Sequence, residues 1–139
     1  MKFMIMLKAD PANQQDRMPT DEELNNMGRY NEKLIEAGVL LAGEGLHPVE
    51  TGSWVSFEGD DRSVVDGPFT ESKELVAGFW ILDVASKDEA LVWAKAIPLT
   101  EGTVEVRRVF EVEDFNQDNE FVQQEVKWRE EHNGEGRTA

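Results

Sequence analysis

The sequence contains no cysteine, so the chain has no disulfide, no thiolate nucleophile and no zinc site built on thiolates. It is also poor in basic residues, because 14 lysines and arginines stand against 29 aspartates and glutamates, for a net charge of −15. Nucleic acids and anionic membranes attract basic surfaces, so this charge excess disfavours both as partners. Small molecules and other proteins remain as the expected partners.

Long hydrophobic runs are missing as well. The apolar stretch near the N-terminus, residues 3–7, lies between Lys2 and Lys8 and is shorter than a signal-peptide core or a membrane-spanning helix. We therefore expect a cytoplasmic protein without a targeting segment. A chain of 139 residues is long enough for one hydrophobic core and too short for two independent ones.

Hydrophobic patterning predicts four principal strands. Residues 2–8 and 78–84 are apolar on both faces, which is typical of strands in the middle of a sheet. Residues 39–42 and the alternating stretch 103–112 are predicted as the second and the last strand, the latter at a half-buried edge. Residues 53–65 form a predicted polar hairpin inserted into this plan.

Two capping boxes predict two helices. Thr20, with a glutamate three residues later, opens the first helix, and Gly38 ends it. Ser86 opens the second helix in the same way, and Pro98 ends it. The order of these elements predicts an α+β fold, a ferredoxin-like βαββαβ domain with an inserted β-hairpin.

A homodimer follows from the same pattern. Two helices can cover only one face of such a sheet, so a second subunit is the simplest cover for the other apolar face. We assign residues 1–115 to the domain and residues 116–139 to a C-terminal helical extension with a polar tail. Phe121 and Trp128 lie at helical spacing, which predicts an accessory helix on the core or on the partner subunit; a disordered acidic tail is the alternative.

The most distinctive motif spans residues 66–74 and reads Asp-Gly-Pro-Phe-Thr-Glu-Ser-Lys-Glu. It is accompanied by Ala-Gly-Glu-Gly-Leu at residues 42–46, Gly-Phe at 78–79 and Val-Glu-Val-Arg at 104–107. In this order, these strings closely resemble the signature of the YCII-related, or DGPF, domain family. The resemblance covers residues 1–112.

This resemblance implies a dimeric α+β barrel built from two ferredoxin-like subunits, with a cleft between sheet and helices. Smaller relatives look like acid/base lyases with a His-Asp pair in and near the first helix. DGPF-type members are often encoded beside, or fused to, alternative sigma factors. This sequence has Met27 and Glu36 where the His-Asp pair would be expected, which argues against that lyase mechanism.

Asp66 and His47 are the candidate catalytic residues. A carboxylate held by a Gly-Pro turn at a strand end could act as a general base if it is partly desolvated; the alternative is that Asp66 only shapes the turn. His47 is the only histidine of the predicted core domain, and Glu44 lies near it in sequence as a candidate substrate contact. A histidine and a glutamate without a third ligand are a weak metal signal, so we expect no metal and no cofactor.

The remaining candidate substrate-binding residues come from the motif and from the last strand. Lys73 is a candidate anion contact within the motif. Arg107 matches the family, whereas Arg108 falls on the apolar face of its strand, where a guanidinium could bind a carboxylate in a cleft. Pairing with neighbouring glutamates is the alternative role of both. The motif also contributes Gly67, Pro68 and Phe69.

Two functions are consistent with these features. The first is a small-molecule-binding protein, or a lyase- or isomerase-type acid/base enzyme, that acts on an anionic metabolite. The second is a non-enzymatic regulatory module whose acidic surface and C-terminal helix bind a sigma factor or another protein.

Overall fold

A computed structural model describes residues 1–9, 19–67 and 75–132 of the chain. This part of the protein is a mixed α+β structure with six strands and three α-helices. In chain order the elements are β1 (Lys2–Ala9), α1 (Asp21–Glu36), β2 (Leu40–Gly45), β3 (Ser53–Glu58), β4 (Asp61–Asp66), β5 (Leu75–Asp83), α2 (Lys87–Lys95), β6 (Thr103–Arg108) and α3 (Glu120–His132).

Four strands form the main sheet, in the order β2-β5-β1-β6, with every neighbouring pair antiparallel. The two stretches that were predicted to be central, β1 and β5, are its inner strands, because their apolar faces can be buried on both sides only there. β3 and β4 pair with each other in a separate two-stranded sheet. The predicted inserted hairpin is therefore confirmed.

Both predicted helix starts are confirmed by their capping contacts. Thr20 Oγ1 accepts a hydrogen bond from the Glu23 N–H at 3.1 Å, and Ser86 Oγ accepts one from the Glu89 N–H at 3.2 Å. The acidic residues in the first turn of each helix also favour the positive end of the helix dipole. Gly38 follows α1 with a φ of 72°, a backbone conformation that glycine adopts without strain.

The core lies between α1, α2 and one face of the main sheet. Ile5, Leu34 and Leu82 are fully buried there, and Trp80 donates its indole N–H to Asn31 Oδ1 at 2.9 Å. Tyr30 Oη donates to the Trp93 carbonyl oxygen at 2.8 Å, which connects α1 to α2. Burial raises the pKa of Tyr30 to about 12, so its hydroxyl remains a hydrogen-bond donor at neutral pH.

The opposite face of the sheet, which we call the outer face, carries a second apolar surface. Its centre consists of two cross-strand pairs, Met4 with Ile81 and Met6 with Phe79. These four side chains are half-buried, and none of them belongs to the core cluster. The described part of the chain therefore has a buried core on one face of the sheet and partly exposed apolar side chains on the other.

The last strand is shorter than its pattern predicted. β6 ends at Arg108, so the predicted strand 103–112 is wrong beyond that residue, and Phe110 is 72% exposed rather than part of the core. Asp114 Oδ2 accepts a hydrogen bond from the Glu111 N–H at 2.8 Å, which turns the chain into a short 3₁₀ helix, Val112–Asp114. This local capping contact replaces the strand hydrogen bonds that the alternation alone had suggested.

The predicted accessory helix is present as α3. Asn119 Oδ1 accepts hydrogen bonds from the N–H groups of Phe121 and Val122, so an asparagine cap starts this helix. None of its residues is fully buried, and Phe121 and Trp128 are 75% and 49% exposed. No helix in the described part of the chain is long and apolar enough to cross a membrane.

Candidate functional site

Asp66 lies at the end of β4, where the Asp-Gly-Pro-Phe string begins. Its Oδ1 accepts a hydrogen bond from Ser53 Oγ at 2.6 Å, across the first pair of the hairpin. The next residue, Gly67, donates its N–H to the Gly52 carbonyl oxygen at 2.9 Å. Both contacts close the base of the hairpin and leave the Asp66 side chain exposed. The carboxylate is thus oriented by a hydroxyl but is not shielded from water by this chain.

Gly67 packs directly against the segment that follows His47. A Cβ atom at position 67 would overlap the carbonyl oxygen of Val49 and would lie 3.3 Å from Cα of Glu50. Only glycine fits this approach of two backbones. The turn that holds Asp66 is therefore fixed against the short 3₁₀ helix Val49–Thr51, which begins two residues after His47.

Glu44 lies near the end of β2, and His47 lies between β2 and the 3₁₀ helix that contacts this turn. Glu44 pairs with Phe79, so its exposed side chain stands at the edge of the outer face. The Leu46 N–H donates to the Ala77 carbonyl oxygen at 2.8 Å and holds the start of the loop to β5. His47 follows immediately and is exposed. We call Glu44, His47, Asp66 and Gly67 the loop cluster.

Three candidates from the motif, Pro68, Phe69 and Lys73, lie outside the described residues. All three lie in the sequence between Gly67 and β5, and their placement in the predicted site stays a prediction.

The two arginines lie on opposite faces of β6, as strand alternation predicted. Arg107 pairs with Met4 on the outer face, and its Nε lies 3.8 Å from Glu105 Oε2. Arg108 pairs with Phe3 on the core face. Because β6 and β2 are the two edges of the sheet, three strand spacings, or about 14 Å, separate Arg107 from Glu44. The structure therefore joins the turn of Asp66 to the segment that follows His47 and places both arginines on the other edge strand of the sheet.

One family model matches the part of the chain that has this architecture. The family model of the YCII-related domain covers residues 1–116, the part of the chain that carries the main sheet, both core helices and the loop cluster. The chain belongs to the YCII-related family. The YCII-related region ends before α3, so the C-terminal helix lies outside the matched residues.

One similar relative is an uncharacterized protein of Rhizobium meliloti (strain 1021), Uncharacterized protein R00369. It is 36% identical to this chain over 88 residues, which is 60% of this chain and 70% of the relative. Its printed name gives no activity, so the relative supports the family and adds no substrate.

A cavity of about 380 Å³ lies on the core side of this YCII-related protein, beside β1 and the edge strand β6. Its lining is mainly apolar, with two cationic side chains among the lining residues Met1, Phe3, Ser86, Lys87, Val106 and Arg108. The strand pattern predicts Arg108 as a ligand contact but does not identify Lys87. The signal that could have located Lys87 was the second capping box, which places this lysine in the first turn of α2, directly after the N-cap Ser86.

No group of three or more metal-ligating side chains occurs among residues 1–9, 19–67 and 75–132. Glu44 and His47 stay candidate acid/base or binding groups.

Proposed function

We propose that this protein is a homodimeric, ferredoxin-like member of the family that binds a small anionic metabolite at the loop cluster and serves as an acid/base enzyme or a binding protein. The packing of Gly67 on Val49 carries this proposal, because it holds the turn of Asp66 against the segment of His47. A carboxylate and an imidazole from two distant parts of the sequence thereby border one loop region. Carboxylate and imidazole side chains are the groups that most often act as general base and general acid in enzymes.

The proposed dimer forms through the outer face. Met4, Met6, Phe79 and Ile81 present a continuous apolar centre that a second copy of the same surface can bury. Glu44 stands at the edge of this face, so a second subunit would approach the loop cluster and exclude water from it. Desolvation favours the neutral form of a carboxyl group and so makes its carboxylate a stronger base. Lys73 of the motif is the proposed contact for the negative charge of the substrate.

Replacing Asp66→Asn is expected to abolish ligand binding or turnover while the protein stays folded. The amide keeps the size of the side chain and can still accept from Ser53, but it loses the negative charge and the basic oxygen. The measurement is a thermal-shift screen of the protein against small organic acids, followed by titration of each hit. A ligand at about 100 times its dissociation constant stabilises the fold by roughly 2.7 kcal/mol, which gives a clear shift.

Asp61→Asn is the matched control, because Asp61 is an exposed aspartate at the other end of the same strand. This variant should bind every ligand with the same affinity as the parent protein. If a ligand bound Asp66→Asn with the same affinity as the parent protein, Asp66 would not be part of the site.

A second function, a regulatory module that binds a sigma factor or another protein, is favoured by α3. The helix has no fully buried residue, and its aromatic residues Phe121 and Trp128 are exposed. Phe110 and Phe115, whose ring centroids lie 5.1 Å apart, add two more exposed aromatic side chains just before it. Exposed aromatic side chains on an acidic background suit a protein partner with apolar and basic groups.

If this second function holds, the tagged protein should capture a sigma factor from a lysate of its host, and Trp128→Ala should reduce the captured amount at least tenfold. Trp54→Ala is the control, because Trp54 is a similarly exposed tryptophan on the hairpin. Quantitative mass spectrometry of the captured proteins gives the readout. Equal capture by both variants, or the absence of any sigma factor at modest salt, would argue against this function.

A further inference from the structure

The cavity beside Arg108 lies at a different end of the molecule from the loop cluster. Arg108 pairs with Phe3 near the start of β1, and the Val109 N–H donates to the Lys2 carbonyl oxygen at 2.8 Å. Glu44 of the loop cluster lies on the opposite edge strand, β2, and pairs with Phe79 in the first half of β5, whereas Phe3 pairs with Leu82 near the end of β5. A ligand in this cavity would therefore occupy a second site.

The floor of the cavity is apolar. Phe3 is 3% exposed and belongs to the core cluster, and Val106 packs against that cluster from the neighbouring strand. Since Ile5 pairs with Val106 and Phe3 pairs with Arg108, the cavity follows the core face of two adjacent strands. An apolar group placed on this floor would be removed from water on the side of the sheet.

Two cations stand at the rim of this apolar floor. Lys87 forms no ion pair within the part of the chain that the structure describes. The guanidinium of Arg108 is half-exposed, and its contact with Asp114 is long, with 3.9 Å between Nη2 and Oδ1. A guanidinium has five N–H donors, so this contact leaves most of them available to a carboxylate.

Two carboxylates near the rim are engaged by other groups. Glu89 Oε2 accepts the Ala85 N–H at 2.9 Å, and Asp83 Oδ1 lies 3.2 Å from the amino group of Met1. Ser86 Oγ is used as the helix cap and leaves the positive end of α2 facing the same region. Two cationic side chains that border an apolar cavity are complementary to an anion with an apolar body.

We propose that this cavity binds an amphipathic monocarboxylate, with its apolar body on Phe3 and Val106 and its carboxylate on Arg108 and Lys87. The volume of about 380 Å³ falls in the lower part of the range of small-molecule sites, roughly 300–1,000 Å³, and suits a short aliphatic or single-ring acid. A phosphate or a dicarboxylate would fit the two cations but would leave the apolar floor uncovered. The apolar body therefore sets the specificity of this site.

Isothermal titration of the full-length protein with acetate, butyrate and hexanoate tests the apolar part of the site. The affinity should rise by about fourfold for each added methylene that the cavity buries. Hexanol, which lacks the charge, and inorganic phosphate, which lacks the apolar body, should each bind at least tenfold more weakly than hexanoate. Equal affinity for acetate and hexanoate, or stronger binding of phosphate, would overturn the proposal.

Three glutamine variants test the charged part. Arg108→Gln should weaken hexanoate binding about tenfold and Lys87→Gln about threefold, because the first loses a bidentate contact and the second a solvated one. Arg107→Gln is the matched control. This substitution removes the same charge one residue away, but the side chain of Arg107 lies on the outer face. Its affinity should stay within about twofold of the parent. If Arg107→Gln and Arg108→Gln weakened hexanoate binding equally, the effect would come from the net charge of the protein and would contradict the proposed site. Size-exclusion chromatography and circular dichroism confirm that each variant keeps the parent's assembly and fold.

Discussion

Ile81→Glu is expected to convert the proposed homodimer into monomers, with the dissociation constant raised at least about 100-fold. Ile81 pairs with Met4 at the centre of the outer face, where a second copy of this surface would bury both side chains. In the dimer, a carboxylate at that position would lose its water without gaining a cationic partner. This desolvation weakens the association of the subunits and leaves the stability of the single chain unchanged. Sedimentation equilibrium over a range of protein concentrations measures the change.

Val92→Glu provides the control for this substitution. Val92 is 67% exposed on α2, on the opposite side of the sheet, so the same added charge should leave the dissociation constant unchanged. Circular dichroism of both variants should match that of the parent, because Ile81 is only half-buried in the single chain. A dimer that survives Ile81→Glu with its original affinity would place the interface on another surface, and a monomeric parent would reject the dimer altogether.

Gly67→Ala is expected to lower the free energy of unfolding by about 2 kcal/mol and to disturb the loop cluster. The new methyl group would overlap the carbonyl oxygen of Val49, and backbone atoms cannot move away as a flexible side chain can. Relief of the overlap requires the turn of Asp66 to separate from the segment that follows His47. The hydrogen bond from the Gly67 N–H to the Gly52 carbonyl oxygen would then be strained or lost.

Urea denaturation of Gly67→Ala and of the control Gly45→Ala measures this effect. Gly45 lies at the end of β2 in the same region, and a Cβ atom there would meet nothing within 4 Å. The control should therefore change the free energy of unfolding by less than about 0.5 kcal/mol. Equal stability of the two variants would mean that the two backbones are not in close contact. Any ligand found for the loop cluster should also bind Gly67→Ala more weakly than Gly45→Ala.

Several elements could be predicted because their signals are local. The capping residues Thr20 and Ser86 identify the helix starts from side chains only three residues from their backbone partners. The apolar faces of β1 and β5 likewise predict inner strands, since burial on both sides is possible only in the middle of a sheet. The end of β6 was missed because the alternation continues through Phe110, while the contact between Glu111 and Asp114 already redirects the chain.

The candidate site was predicted less completely than the fold. Alternation placed Arg108 on the core face correctly, because the side-chain period of a strand is fixed. It gave no distance between Arg108 and Asp66, since that distance depends on which strands are neighbours. Lys87 was overlooked for the same reason. It lines the same cavity as Arg108 only because α2 begins beside β1 and the edge strand β6.

The sequence by itself determined the family, the α+β class, the helix starts, the inner strands and the face on which each arginine of β6 stands. These features depend on the identities of residues a few positions apart, and on a motif of consecutive residues. Only the tertiary structure decided that Gly67 closes on Val49, that Lys87 joins Arg108 at a cavity, and that the loop cluster and this cavity lie at different ends of the molecule. Such contacts join residues far apart in sequence, so they exist only after the strand order and the packing of the helices are fixed.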